Sequence, residues 1–321
     1  MAAKIDFINV TKNFSKGRGV FDISFSIEQN ETVGLLGVNG AGKTTTMNLM
    51  TGNSFPDYGE ILFDGQSFIE NRRSVLKKMG YLPEQPPLYQ EMSVIAYLNF
   101  VADIKRVPFD IREKSIENVM QNTDISHVQN RLVKNLSKGY KQRIGLAQAL
   151  IADPEILILD EPTVGLDPRQ ISDFRNLLKN LKKNHTILLS SHILSEVSAI
   201  CDRSIIIHNG KIISNEKTKH KTKSPDTPFV LRARGNAEQI LVCLQNLTCI
   251  AEIETKGNNE TSFDGIITPF PGTDAKEAVF YTLAENHFPI DELRPAENLE
   301  DIFFQLTFEA KDTNSINEEY L

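Results

Sequence analysis

The sequence predicts an α/β chain of two units, a larger core built on a parallel sheet followed by a small α+β domain. Three observations lead there. The chain has 321 residues, about twice the ~150 of a typical single domain. Charge is unevenly placed, since residues 1–221 carry 28 Lys and Arg against 24 Asp and Glu, while 222–321 carry 7 against 18. The formal charges are therefore +4 and −11, which predicts a domain boundary near residue 221. Finally, residues 32–50 read as strand, glycine loop and helix in immediate succession, the opening unit of a parallel α/β sheet.

Composition narrows the class further. With 40% hydrophobic and 24% charged residues, the chain resembles an ordinary globular protein rather than a disordered or collagenous one. Apolar runs such as Ile156 to Leu159 and Ile205 to Ile207 fall far short of the ~20 residues that span a bilayer. The chain is expected not to cross a membrane by itself. Its start, Met-Ala-Ala-Lys-Ile-Asp-Phe, lacks the basic and then apolar pattern of a secretory signal, so a cytoplasmic address is expected. Cys201, Cys243 and Cys249 form no C-x-x-C pair, and neither a zinc ribbon nor a disulfide framework is predicted.

The apolar stretch Thr32 to Leu36 leads into Gly37-Val38-Asn39-Gly40-Ala41-Gly42-Lys43-Thr44, then Thr45. This is G-x-x-x-x-G-K-[ST]. Glycines let the backbone turn its N–H groups onto phosphate oxygens without obstruction by a Cβ. Lys43 supplies positive charge to the β- and γ-phosphates, and the Thr44 hydroxyl is placed to ligate Mg²⁺. The helix starting near Lys43 turns the positive end of its dipole toward the same group. A nucleotide is the expected ligand.

A second buried strand should carry a magnesium carboxylate at its carboxyl end. Glu155-Ile156-Leu157-Ile158-Leu159-Asp160-Glu161 meets that requirement, because four consecutive apolar residues suit a parallel strand covered on both faces. Asp160 is read as the metal-side acid. Glu161, one residue further into the crevice, is read as the general base for water attacking the γ-phosphate.

The remaining motifs give a specific resemblance. Leu136-Ser137-Lys138-Gly139-Tyr140-Lys141-Gln142-Arg143 precedes the acidic strand, Gly165-Leu166-Asp167-Pro168 follows it, and Thr186-Ile187-Leu188-Leu189-Ser190-Ser191-His192 comes next. In that order they resemble the signature, D-loop and switch-histidine segments of ATP-binding cassette (ABC) ATPases, over about residues 3–215. The resemblance implies a P-loop NTPase cassette, with a RecA-like core and a helical subdomain at about 88–152. It implies ATP and Mg²⁺ as ligands, and a head-to-tail dimer in which Ser137 and Gly139 of one copy meet the γ-phosphate held by Lys43 of the other. His192 would hold the phosphate and the attacking water in position. Phe14 would stack on adenine, a core Phe being the alternative. After Gly80 to Pro83 the family places a magnesium-reaching glutamine, where this chain has Glu84 and then Gln85; Glu84 is taken as its equivalent. The signature departs from L-S-G-G-Q at Lys138 and Tyr140.

Within 88–152, Val94, Leu98 and Val101 keep helical spacing; in the family such a subdomain docks a segment of the membrane subunit. The polar, basic stretch Lys217 to Pro225 reads as a linker. Beyond it the pattern is βαββαβ, a ferredoxin-like order, over the acidic domain 225–321. A last helix from Asn298 would carry Leu299, Ile302, Phe303 and Leu306 on one face. Leu299-Glu300-Asp301-Ile302-Phe303 resembles the ending of ATPase subunits of the ABC-2 export class, which includes multidrug, sodium and gliding-motility systems. The implied function is ATP hydrolysis that energises export through a separate integral membrane permease, with the chain peripheral on the cytoplasmic face. A soluble ABC ATPase acting on nucleic acid or ribosomes is the alternative, although such proteins carry tandem cassettes or long coiled coils and a +4 cassette demands no polyphosphate partner. No nucleic acid is expected.

Overall fold

The computed structural model describes residues 3–14, 17–217, 228–259 and 261–295, and the chain divides into two units, 1–219 and 220–321. The first unit is built on two sheets. One is antiparallel, with β1 (Ala3–Phe14) between β2 (Arg18–Glu28) and β4 (Tyr58–Phe63), and β5 (Gln66–Ser67) beside β4. Alternating apolar residues place one face of this sheet inside, where Phe7 and Phe25 stack with centroids 4.5 Å apart. The sequence reading did not anticipate this sheet.

The second sheet has six strands, in the order β10 (Lys211–Lys217), β9 (Arg203–His208), β3 (Thr32–Leu36), β8 (Thr186–Ser191), β7 (Ile156–Leu159) and β6 (Met79–Leu82). Five are parallel and β10 runs antiparallel at the edge. Every residue of β3, β7 and β8 is buried, as expected for parallel strands covered on both faces. Ile5, Phe7 and Ile27 of the first sheet join Val33, Ile158, Leu188 and Ile205 of the second, and Met47 and Leu49 of α1 (Lys43–Met50), in one core. Helices α2 (Phe68–Lys77), α6 (Pro168–Leu181) and α7 (Leu194–Ile200) complete this part.

Between β6 and β7 the chain forms α3 (Val94–Ile104), α4 (Phe109–Asn122) and α5 (Lys138–Leu150). Ser93 caps α3 by accepting from the Ala96 N–H at 3.3 Å. Val94, Leu98 and Val101 are buried together, as their spacing requires. The helix α5 packs tightly on the loop after β6, since a Cβ at Gly145 would lie 2.7 Å from both Leu82 and Pro86.

The second unit follows β11 (Phe229–Arg234), α8 (Ala237–Gln245), β12 (Ile250–Asn259), β13 (Ser262–Pro269), α9 (Ala275–Glu285) and β14 (Ile290–Pro295). Its sheet order is β12-β13-β11-β14, all antiparallel, so β13 lies between the two strands joined by α8. That is the split βαβ topology of a ferredoxin-like domain. Phe229, Leu231, Phe263 and Ile267 pack beneath Ile240, Leu244, Val279 and Leu283. The linker from residue 218 and the apolar-faced helix from Asn298 lie outside the described residues.

Candidate functional site

Register brings the site together. In the six-stranded sheet, Leu36 of β3 pairs with Ser191 of β8, and Leu159 of β7 pairs with Leu189 of β8. The residues that follow these strand ends, Gly37, Asp160 and His192, therefore emerge at one edge. Ligands bind α/β sheets at such carboxyl ends.

The loop Gly37 to Thr44 turns from β3 into α1. Gly42 caps the helix at φ 115°, a left-handed backbone that favours glycine, and a Cβ there would meet Val20 and Ile207. At Gly37 a Cβ would lie 2.6 Å from the Ile207 carbonyl oxygen. The first turn of α1 has no side-chain cap and no acidic residue, which leaves the amides of Lys43, Thr44 and Thr45 directed at whatever lies ahead of the helix. Such an end suits an anion.

Lys43 is buried. Its Nζ donates to the Gly37 carbonyl at 2.7 Å and to that of Val38 at 3.3 Å, and it lies 3.1 Å from Glu161 Oε1. The other oxygen of Glu161 accepts from His192 Nδ1 at 2.9 Å. Glu161 thus stands between the loop lysine and the histidine. It does so from a strained backbone, with φ 45°, uncommon for a residue bearing a side chain. Ser190 fastens this turn by accepting from the Glu161 N–H at 2.8 Å and donating to Asp160 Oδ1 at 2.6 Å.

Asp160 is buried, and its carboxyl is held above the ordinary aspartate value. Desolvation is the main cause, opposed by the Ser190 hydrogen bond and reinforced by the charges of Glu161 and Glu84. Three carboxylates thus share a region with one lysine, which is an electrostatic setting for a divalent cation. Among the described residues no three His, Cys, Asp or Glu side chains are grouped to hold a metal. Mg²⁺ does not need three such groups, because it takes one or two carboxylates and completes its shell with phosphate oxygens and water.

Comparisons with known proteins fall on the same segments. The ABC transporter family profile matches residues 20–164. An uncharacterized ABC transporter ATP-binding protein of Bacillus subtilis is 33% identical over 316 residues, covering 97% of this chain and 98% of its own. The chain belongs to the ABC transporter ATP-binding proteins. The bacitracin transport ATP-binding protein of Bacillus licheniformis is 31% identical over 309 residues, with 95% and 98% covered. A subunit of the ABC transporter complex cbiONQ from Clostridium perfringens superposes with a TM-score of 0.63 at 29% identity, covering 68% of this chain and 90% of that one. The chain is thus an ATP-binding and ATP-hydrolysing transporter subunit, and its first unit is an ABC cassette.

Within the cassette, the family-specific residues occupy definite places. Ser137 caps α5, accepting from the Tyr140 N–H at 3.5 Å. Gly139 is buried against Gln170, where a Cβ would come within 2.8 Å of the amide carbon. Lys138 lies over Gly165, so the signature and D-loop of one chain pack together. The structure does not bring Ser137 and Gly139 to Lys43 of the same chain, since their contacts are with Tyr140 and Gln170. Phe14 is 45% exposed at the β1–β2 hairpin, with Lys12 Nζ 5.7 Å from its ring centre. The hairpin reaches the loop, since the Gly19 carbonyl lies 3.3 Å from where a Gly42 Cβ would be. Glu84 is exposed, and its carbonyl accepts from Gln142 Nε2 at 3.2 Å. Among the described residues no helix is long and apolar enough to cross a membrane.

Sequence reasoning missed Ser190 and Gln142. A serine directly after the apolar run Ile187 to Leu189 was the available signal for Ser190. Nothing in the local pattern distinguished Gln142 from the other polar residues of α5.

Proposed function

We propose that this chain is the ATPase subunit of an exporter, working as a head-to-tail pair against a separate membrane-spanning permease. The observation that carries the catalytic part is the placement of Glu161 between Lys43 and His192, 3.1 Å and 2.9 Å away. A general base must lie within reach of the attacking water and be oriented by a partner. His192 orients Glu161, while Lys43 moves from carboxylate to phosphate when the nucleotide enters. The loop amides of Val38 to Thr45 cradle the phosphates. Ser137 and Gly139 complete the site from a second copy, and Phe14 offers a flat face to the purine.

Thr44, Asp160 and Glu84 would hold Mg²⁺, which supplies positive charge to the β- and γ-phosphate oxygens. Export, rather than import, is supported by the likeness to a lipopolysaccharide export system ATP-binding protein of Haemophilus influenzae, 35% identical over 211 residues that cover 64% of this chain and 87% of its own, and by the C-terminal pattern of the sequence. A chain with this role works at the cytoplasmic face of the membrane that holds its permease. No observation favours the reading as a nucleic-acid or ribosome ATPase.

The test is Glu161→Gln. It should bind ATP, hydrolyse it poorly and accumulate a dimer in the presence of ATP. Turnover at the wild-type rate would show that Glu161 is not the base.

A further inference from the structure

One buried acid in the cassette lies outside the site just described. Glu196 sits in the first turn of α7 and is 3% exposed. An acidic residue there ordinarily faces solvent and complements the helix dipole. Instead, Glu196 Oε2 accepts from Thr163 Oγ1 at 2.5 Å and from Ser191 Oγ at 3.2 Å, and both hydroxyl-bearing residues are buried. A carboxylate withdrawn from water is tolerated where strong donors replace the solvent.

The positions of those two donors give the arrangement its meaning. Thr163 is two residues after Glu161, and Ser191 is the residue before His192. We infer that Glu196 is a positioning residue, which fixes the Glu161 turn against the end of β8 and so sets the geometry between Glu161 and His192. Successive residues of a strand point to opposite faces. Ser190 holds Asp160 and Glu161 from one face, and Ser191 holds Thr163 through Glu196 from the other. Two clamps are reasonable, because a side-chain-bearing residue at φ 45° persists only where its surroundings over-determine it. Further along the turn, the Val164 amide donates to the Glu161 carbonyl and the Leu166 amide to that of Thr163, both at 3.2 Å.

This inference rests on the reading that Glu161 and His192 serve hydrolysis. Glu196→Ala, Glu196→Gln and Thr163→Val in the full chain test it, with Glu161→Gln as control. Misplacing a catalytic group by about 1 Å costs about 100-fold in rate, so Glu196→Ala and Thr163→Val should lower kcat by about 10- to 100-fold. ATP affinity should stay within about threefold, because the phosphate loop is untouched. Amide exchange at Val164 and Leu166 should speed up without nucleotide. The double variant should be no worse than Glu196→Ala alone, since the contact that Thr163→Val removes is already lost there. Glu196→Gln keeps an acceptor for Thr163 and should restore most of kcat. Thr163→Val is nearly isosteric and decides the matter if Glu196→Ala does not fold. Wild-type kcat and exchange in Thr163→Val, with Glu161→Gln inactive, would overturn the role of Glu196 alone. An active Glu161→Gln would instead remove the catalytic reading, and this inference with it.

Discussion

Lys43 Nζ lies 3.1 Å from Glu161 Oε1, and the two side chains are 6% and 10% exposed. The residue proposed to bind phosphate and the residue proposed to activate water thus neutralise each other inside the cassette. Phosphate must compete with Glu161 for Lys43, so binding of the nucleotide and release of the base are one event. Removing either partner leaves the other buried and uncompensated.

Stability should report that pairing directly. Lys43→Met should lower ATP affinity at least about tenfold and cost about 3 kcal/mol of unfolding free energy, as breaking a buried pair does. Adding Glu161→Gln to it should recover most of the stability and none of the hydrolysis. Denaturant unfolding with nucleotide titration measures both. Equal stability of the single and double variants would show that the pair is not coupled.

Asp160 gives a pH-dependent prediction. Its carboxyl is raised above 3.8 by burial first, with Glu161 and Glu84 adding to the shift. A raised acid binds its proton more tightly folded than unfolded, so its ionised form opposes folding. That penalty is fully present above the folded pKa and absent below 3.8. Asp160→Asn should therefore melt higher than wild type at pH 7, and the difference should narrow as pH falls toward 3.8. The same variant should lose Mg²⁺-dependent hydrolysis. A constant difference in melting temperature across pH would assign the gain to something other than this carboxylate.

Local contiguity explains which parts of this site could be read in advance. Gly37 to Thr44, Asp160 with Glu161, and His192 each follow an apolar strand directly, so chemistry and secondary structure share one short window. Ser190 ties to Asp160 across 30 residues and Thr163 to Glu196 across 33, and no short window contains such a pair. The antiparallel sheet was hidden for a related reason. Register shifts interrupt β1 between Phe7 and Val10 and again before Lys12, with Asn9 at φ 49°; these irregularities break the alternation that reveals a strand. In the second unit β13 alternates without interruption, and there the order of elements was legible.

The loop after β6 separates two candidates for the magnesium-reaching position. Glu84 contributes to the field at Asp160, and its carbonyl is tied to the signature helix through Gln142. Glu84→Ala should thus reduce hydrolysis about tenfold in the presence of the permease, while Gln85→Ala stays near wild type. Steady-state ATPase assays of the two variants decide. A loss confined to Gln85→Ala would move the assignment by one residue.

The acidic second unit should be dispensable for nucleotide binding. Its core draws on β11, β13, α8 and α9, and among the described residues the cassette core and the side chains packed at its margin extend no further than Ile212. A unit that buries its own apolar residues folds without its neighbour. Deleting residues 225–321 should leave a folded cassette whose ATP affinity is within about threefold of the full chain, measured by equilibrium titration alongside a melting curve. The deletion also removes 18 Asp and Glu against 6 Lys and Arg, a formal −12, and such charges repel an anionic nucleotide only over about a Debye length. Any affinity change from that source should vanish on raising salt from 0.05 to about 0.5 M. A folded truncation that has lost ATP binding at both salt concentrations would place part of the nucleotide site beyond residue 224.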